Sequence, residues 1–107
     1  DGLLTQLQVV EKYLMTQFAH LLGKLKEAKL MDSTLVVIGS GMGNGNLHRH
    51  SDLPILLSGK MGGKVKQGSH YAYKQDTPMA NLLVTILDKA GVHKESVGDS
   101  TGPLAEL

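Results

Sequence analysis

Cysteine and tryptophan are absent from this 107-residue chain, and aromatic side chains are few, with one Phe and three Tyr. Without cysteine the chain has no disulfide, no thiol nucleophile and no thiolate ligand for a metal. Because only 4% of the residues are aromatic, leucine, valine, isoleucine and methionine must fill any core. The absence of cysteine does not indicate a compartment, since exported proteins can also lack it.

An excess of one charge and a long apolar run are lacking as well. Lys and Arg number 11 against 10 Asp and Glu, which leaves a net charge of +1. This balance excludes a generally basic nucleic-acid-coating protein and an acidic tail protein, and no dense basic face with interleaved aromatics is present. No apolar run approaches the roughly 18 residues that a membrane helix needs. We therefore expect neither nucleic acid nor a membrane as a partner.

What remains is the composition of a globular domain. Hydrophobic residues make up 41% of the chain and charged residues 20%, which is ordinary for such a domain. No internal repeat or linker divides the sequence, so residues 1–107 are interpreted as a single domain. The chain begins with Asp1 rather than Met, and an apolar helical pattern follows at once. We therefore expect it to be the C-terminal part of a longer protein.

Two helices are predicted, one at each end of the chain. The first is amphipathic and runs from residue 3 to about 29, because apolar residues recur every three or four positions: Leu3, Leu7, Val10, Leu14, Phe18, Leu21, Leu25 and Ala28. The second has Thr77 as its N-cap and Pro78 at its first position, and Gly91 lies just past its end.

The middle of the chain predicts strands. Residues 34–38 and 53–57 are short apolar runs, and the glycine- and lysine-rich stretch 59–68 is interpreted as a hairpin. This order indicates an α/β fold in which a small mixed sheet is packed by the long N-terminal helix and the shorter C-terminal helix. If the two strands are parallel, the loop between them must make the crossing without a helix.

Glycine is the most unusual component, and it occupies every second position from 39 to 45 after the first strand. Ligands in open α/β sheets collect at such strand ends, and glycines let backbone N–H groups approach an anion. The anion-binding candidates are Ser40, Asn44, Asn46, Arg49 and Lys60. The alternative is a sterically awkward turn packed against a neighbouring segment. Neither the dinucleotide pattern nor the P-loop fits, and Ser40 lacks the nucleophile-elbow spacing, so no catalytic residue is assigned.

His48 and His50 form the sharpest chemical motif. In an extended segment, residues two apart point to the same face, so both imidazoles could reach one metal ion, and Asp52 would continue that face as a carboxylate ligand. Two histidines and a carboxylate suit a divalent metal such as zinc, manganese or iron. The alternative is a solvated polar loop that precedes a strand.

Four ordered motifs resemble an uncharacterised family, a domain of unknown function common in planctomycetes and related marine bacteria. They are TLVVIGSGMGNGN with HRHSDLPILL at 34–57, DTPMANL at 76–82, GDSTG at 98–102 and FAHLLGKLK at 18–26. Members of that family are several times longer than this chain. The resemblance thus implies that the chain is a C-terminal portion, and it implies export, for example to the periplasm.

That family is in turn distantly similar to the alkaline phosphatase and sulfatase superfamily. There, Ser-Asp-His-Gly or Ser-Asp-Asn-Gly supplies metal ligands after a strand, and a later histidine adds another. Residues 40–43 match the serine and the final glycine, but Gly41 and Met42 replace the ligands. Only His48 or His50 could stand for the later histidine. The resemblance implies an alkaline-phosphatase-like architecture and weakens the case for catalysis.

We therefore expect one of two functions, which belong to different functional classes. The first is the C-terminal part of a metal-dependent phosphate- or sulfate-ester hydrolase-like fold that is inactive as an isolated chain, with Arg49 or Lys60 steadying the anion. The second is a non-catalytic domain that binds a small anion or a protein and self-associates. A homo-oligomer is expected because a truncated chain would lose the native cover of the first helix's apolar face and of the strand edges. Self-association, for example by exchange of the long helix between subunits, would restore that cover.

Overall fold

The computed structural model describes residues 2–107. Within them it contains two helices and a two-stranded sheet, in the order α1 (Gly2–Glu27), β1 (Val36–Gly39), β2 (Ile55–Ser58) and α2 (Ala80–Lys89). The predicted mixture of helix and strand is confirmed, and both predicted helices and both predicted strands are present close to their expected positions.

The sheet is antiparallel, so the expected mixed sheet is wrong. Val36 pairs with Ser58 and Gly39 pairs with Ile55, which places the start of β1 beside the end of β2. A parallel pair requires a long crossover connection, usually helical, whereas residues 40–54 turn back on themselves. Reversal of the chain within this segment forces the antiparallel pairing.

Residues 59–68 form turns instead of the predicted hairpin. Backbone N–H groups of this segment bond to the chain just before β1: Lys60 donates to Met31 at 3.0 Å, and Met61 donates to Thr34 at 3.2 Å. Gly59 has φ +106°, and a Cβ placed on it would lie 2.1 Å from the carbonyl oxygen of Thr34. The glycine is therefore required where this segment wraps the turn between α1 and β1.

The ends of α2 were predicted with unequal success. Thr77 is not the N-cap, because its hydroxyl donates to the carbonyl of Lys74 at 2.7 Å and the helix begins at Ala80. At the other end Gly91 has φ +85°, and the N–H of Val92 donates to the carbonyl of Leu87 at 2.9 Å. This is the Schellman arrangement, and it confirms the predicted glycine stop.

The core is small and lies around α2. Its buried apolar side chains are Val65, Ala80, Leu82 and Val84. Two buried polar side chains of the same helix attach the C-terminal segment. Asn81 exchanges hydrogen bonds with Thr101 at 2.8 and 3.1 Å, and the hydroxyl of Thr85 accepts the N–H of Leu104 at 2.7 Å.

None of the residues of α1 is buried, so the expected packing of this helix on the sheet is not formed. On the sheet, Val37 and Leu56 remain 43% and 49% exposed. The radius of gyration is 15.7 Å, against about 13 Å for a compact domain of this length. No helix within residues 2–107 has the length and apolarity needed to cross a membrane.

Candidate functional site

The candidate site is the glycine–histidine loop, residues 40–54, which leaves the carboxyl end of β1. Its backbone closes on itself: the N–H of Gly43 donates to the carbonyl of Arg49 at 2.9 Å, and the N–H of Arg49 donates to the carbonyl of Asn44 at 3.1 Å. The side-chain oxygen of Asn44 accepts the N–H of Leu47 at 3.0 Å. Several donors of the loop are thus used internally, which favours a structured turn.

The alternating glycines have two different surroundings. A Cβ on Gly43 would lie 2.1 Å from the carbonyl oxygen of Ser51, and one on Gly39 would lie 3.2 Å from that of Pro54. Gly41 and Gly45 have open space around the same position. Two of the four glycines are therefore explained by close approach of two backbone segments, the alternative that sequence analysis left open.

His50 is held by the loop itself. Its Nδ1 lies 2.7 Å from the carbonyl oxygen of Gly41. A carbonyl only accepts, so Nδ1 carries the proton, and in the neutral ring Nε2 then keeps its lone pair. A backbone carbonyl on Nδ1 is also the usual outer partner of a metal-bound histidine. This nitrogen is the best-prepared ligand atom of the loop.

His48, His50 and Asp52 do not lie on an extended backbone. The φ angles of His48 and Asp52 are +50° and +53°, in the left-handed region. The prediction of an extended segment here is therefore wrong. Within residues 2–107, no group of three or more His, Asp or Glu side chains is arranged to hold a metal ion. Metal binding by these three residues stays a prediction.

The predicted anion-binding residues are divided between the two ends of the sheet. Ser40, Asn44, Asn46 and Arg49 are exposed in the loop, where the hydroxyl of Ser40 accepts the N–H of Met42 at 3.2 Å. Lys60 instead follows β2, and its ammonium lies 2.9 Å from the carboxylate of Asp32. Antiparallel pairing places the carboxyl ends of successive strands at opposite ends of the sheet, so Lys60 and the loop residues follow different ends. Anion binding by these residues stays a prediction.

An apolar cleft of about 290 Å³ lies beside the start of the loop. It runs between the sheet and α2, and its wall includes Ser40 together with the apolar side chains of Val37, Ile55, Met79, Leu82 and Leu83. Of the predicted site residues only Ser40 lies in this wall. The cleft offers apolar contact and little that would recognise a phosphate or sulfate group.

Sequence reasoning missed the polar contacts of the C-terminal half. Asn81 and Thr85 are buried and bind the tail, and a buried polar position inside an apolar helical stripe is the signal that could have identified them.

Tyr71 and Tyr73 lie with ring centroids 6.3 Å apart. Partial burial raises the pKa of Tyr73, and the negative charge of Glu106 raises it further.

Comparison of the chain with protein-family models, with curated proteins and with solved structures finds no match in any of the three. The resemblance to the planctomycete family and to the alkaline phosphatase superfamily therefore stays a prediction.

Proposed function

We propose that this chain is a non-catalytic binding domain that self-associates through the apolar face of α1. One observation carries the proposal: a 26-residue amphipathic helix has no buried residue. Large apolar side chains along one face are exposed, with Leu3 at 76%, Leu7 at 52% and Leu14 at 55%. A helix of this kind gains most of its stability from covering its apolar face, since propensity alone leaves isolated helices marginal in water.

The chain as a whole exposes more surface than a compact monomer of its size. The chain exposes 8190 Å², whereas a compact monomer of 11.5 kDa exposes about 5,800 Å². The excess of about 2,400 Å², summed over the whole chain, is larger than the roughly 800 Å² that each partner contributes to a standard interface. Exposed apolar patches of more than a few hundred Å² are rare on soluble monomers and mark interaction surfaces.

The test is sedimentation equilibrium of wild type beside two matched variants. Leu14→Glu places a charge at the middle of the apolar face, and Thr16→Glu places the same charge on the opposite face. We expect an oligomeric wild type, an unchanged Thr16→Glu variant, and a dissociation constant for Leu14→Glu that is raised at least about 100-fold, because an unpaired charge is costly to bury.

A wild-type chain that sediments as a monomer at every concentration would refute self-association. Equal weakening by both variants would show that helix content, and not the apolar face, controls assembly.

The second candidate is the metal-dependent phosphate- or sulfate-ester hydrolase-like fold, in which His50 with His48 and Asp52 supplies ligands for zinc, manganese or iron. The carbonyl of Gly41 on Nδ1 of His50 favours it, because Nε2 is then free to bind. Arg49 would steady the anionic substrate from the same loop.

Zinc calorimetry separates the two candidates. Stoichiometric zinc binding that His50→Ala abolishes and His20→Ala preserves would favour the hydrolase-like candidate. We expect no turnover of an aryl phosphate by the chain alone; metal-stimulated turnover that His50→Ala abolishes would overturn the non-catalytic proposal.

A further inference from the structure

We infer that two copies of this chain pair α1 against α1 in antiparallel orientation, about a two-fold axis at Leu14. The inference rests on the proposed self-association and adds its geometry. It follows from the spacing of the apolar residues, the placement of charge and the length of the helix.

One apolar stripe of α1 reads the same in both directions. Its seven positions are symmetric about residue 14: Leu3, Leu7, Val10, Leu14, Phe18, Leu21 and Leu25. When one helix is reversed about Leu14, Leu3 faces Leu25 and Leu7 faces Leu21, so each of these seven positions meets another of the seven. The mean spacing of about 3.7 residues is close to that of a straight helix, so the faces stay in contact without strong supercoiling.

Charge selects the antiparallel arrangement over the parallel one. Residues 2–10 carry no charged side chain, whereas the last turn of α1 carries Lys24, Lys26 and Glu27. Lys24 pairs with Glu27 at 2.8 Å, so this turn keeps a net charge of +1. Parallel pairing would bring the two lysine-bearing ends together. Antiparallel pairing lays each lysine-bearing end along the uncharged end of the partner, and it also opposes the two helix dipoles.

The helix length fits this axis. α1 spans Gly2–Glu27, so its midpoint lies between Leu14 and Met15, and pairing about Leu14 overlaps almost its full length of about 39 Å. Both the symmetric face and the helix therefore have their centre at the same place. An isologous two-fold contact is the commonest form of self-association.

Because the chain has no cysteine, single cysteines report the register directly. The experiment compares Leu14→Cys, Leu7→Cys and Leu21→Cys in a glutathione redox buffer, with Thr16→Cys on the opposite face as the control. Disulfide-linked dimer is quantified by non-reducing electrophoresis, and the oligomeric state of each reduced variant is measured by sedimentation.

We expect Leu14→Cys to form the disulfide-linked dimer without a second variant present. We expect Leu7→Cys and Leu21→Cys to form little disulfide-linked dimer when each is tested separately. When the two are mixed, we expect them to cross-link to each other, with a yield of dimer at least about tenfold above the Thr16→Cys background. Efficient self-linking of Leu7→Cys and Leu21→Cys in separate tubes would establish a parallel pair and overturn the inference while leaving self-association intact. Monomeric reduced variants together with a monomeric wild type would overturn the proposed function itself.

Discussion

α1 and α2 have the same kind of apolar periodicity and opposite surroundings. The ten residues of α2 include five buried ones, whereas the 26 residues of α1 include none. α2 is covered by neighbouring segments of its own chain, above all by the tail that Asn81 and Thr85 bind. The comparison shows that periodicity identifies a face that needs a cover but does not say which molecule supplies it.

We therefore expect the stability of the body, residues 31–107, to depend on packing within the chain, and the stability of α1 to depend on contact with its partner. Three changes test the body side of this difference, in order of expected effect.

The largest effect is expected at Gly43. In Gly43→Ala the new methyl group would meet the carbonyl oxygen of Ser51 at 2.1 Å, so the loop backbone must move. We expect a loss of about 2–4 kcal/mol in the free energy of unfolding, measured with urea. Gly45→Ala is the matched control, since open space surrounds that position and the change should cost less than about 1 kcal/mol. Equal stability of the two variants would contradict the close approach.

A smaller effect is expected when the tail is released. Asn81→Ala removes both hydrogen bonds to Thr101 and leaves the backbone N–H of that residue without its acceptor. We expect a loss of about 2 kcal/mol. Faster amide exchange at residues 101–104 would locate the change. Asn46→Ala, at an exposed loop position, is the control and should change neither quantity. Unchanged exchange in the tail of Asn81→Ala would show that other contacts hold it.

The smallest effect concerns alkaline pH. Because the pKa of Tyr73 is raised in the folded state, the unfolded chain loses this proton first, and stability falls as pH rises above about 10. Tyr73 is 39% exposed, so the loss should stay below about 1 kcal/mol. Tyr73→Phe should flatten this part of the stability curve. A wild-type curve that rises with pH there would reverse the sign of the shift.

Local signals predicted local structure well. The 3.6-residue period indicated α1 over nearly its full length, β-branched residues indicated β1, and Gly91 indicated the end of α2, since each depends on a few neighbouring residues. The direction of β2 relative to β1 could not be predicted from such signals, because it depends on how residues 40–54 turn. The separation of Lys60 from Arg49 is a consequence of that direction.

The candidate site was predicted as a set of residues but not as a geometry. His48 and His50 do lie in one loop. The backbone is left-handed at His48 and Asp52, so residues 48–52 do not form the extended segment that was predicted. Such conformations are uncommon outside glycine, and nothing in the residue types H-R-H-S-D requires them. The contact of His50 with Gly41 spans nine residues and is set by the whole turn.

Amide hydrogen exchange as a function of protein concentration tests the central difference between the two helices most directly. Protection of α1 should rise steadily across about a hundredfold range of concentration, because its cover is supplied by mass action. Protection of α2 should stay constant, because its cover belongs to the same chain. Strong protection of α1 that does not change with concentration would contradict self-association as the means by which this helix covers its apolar face.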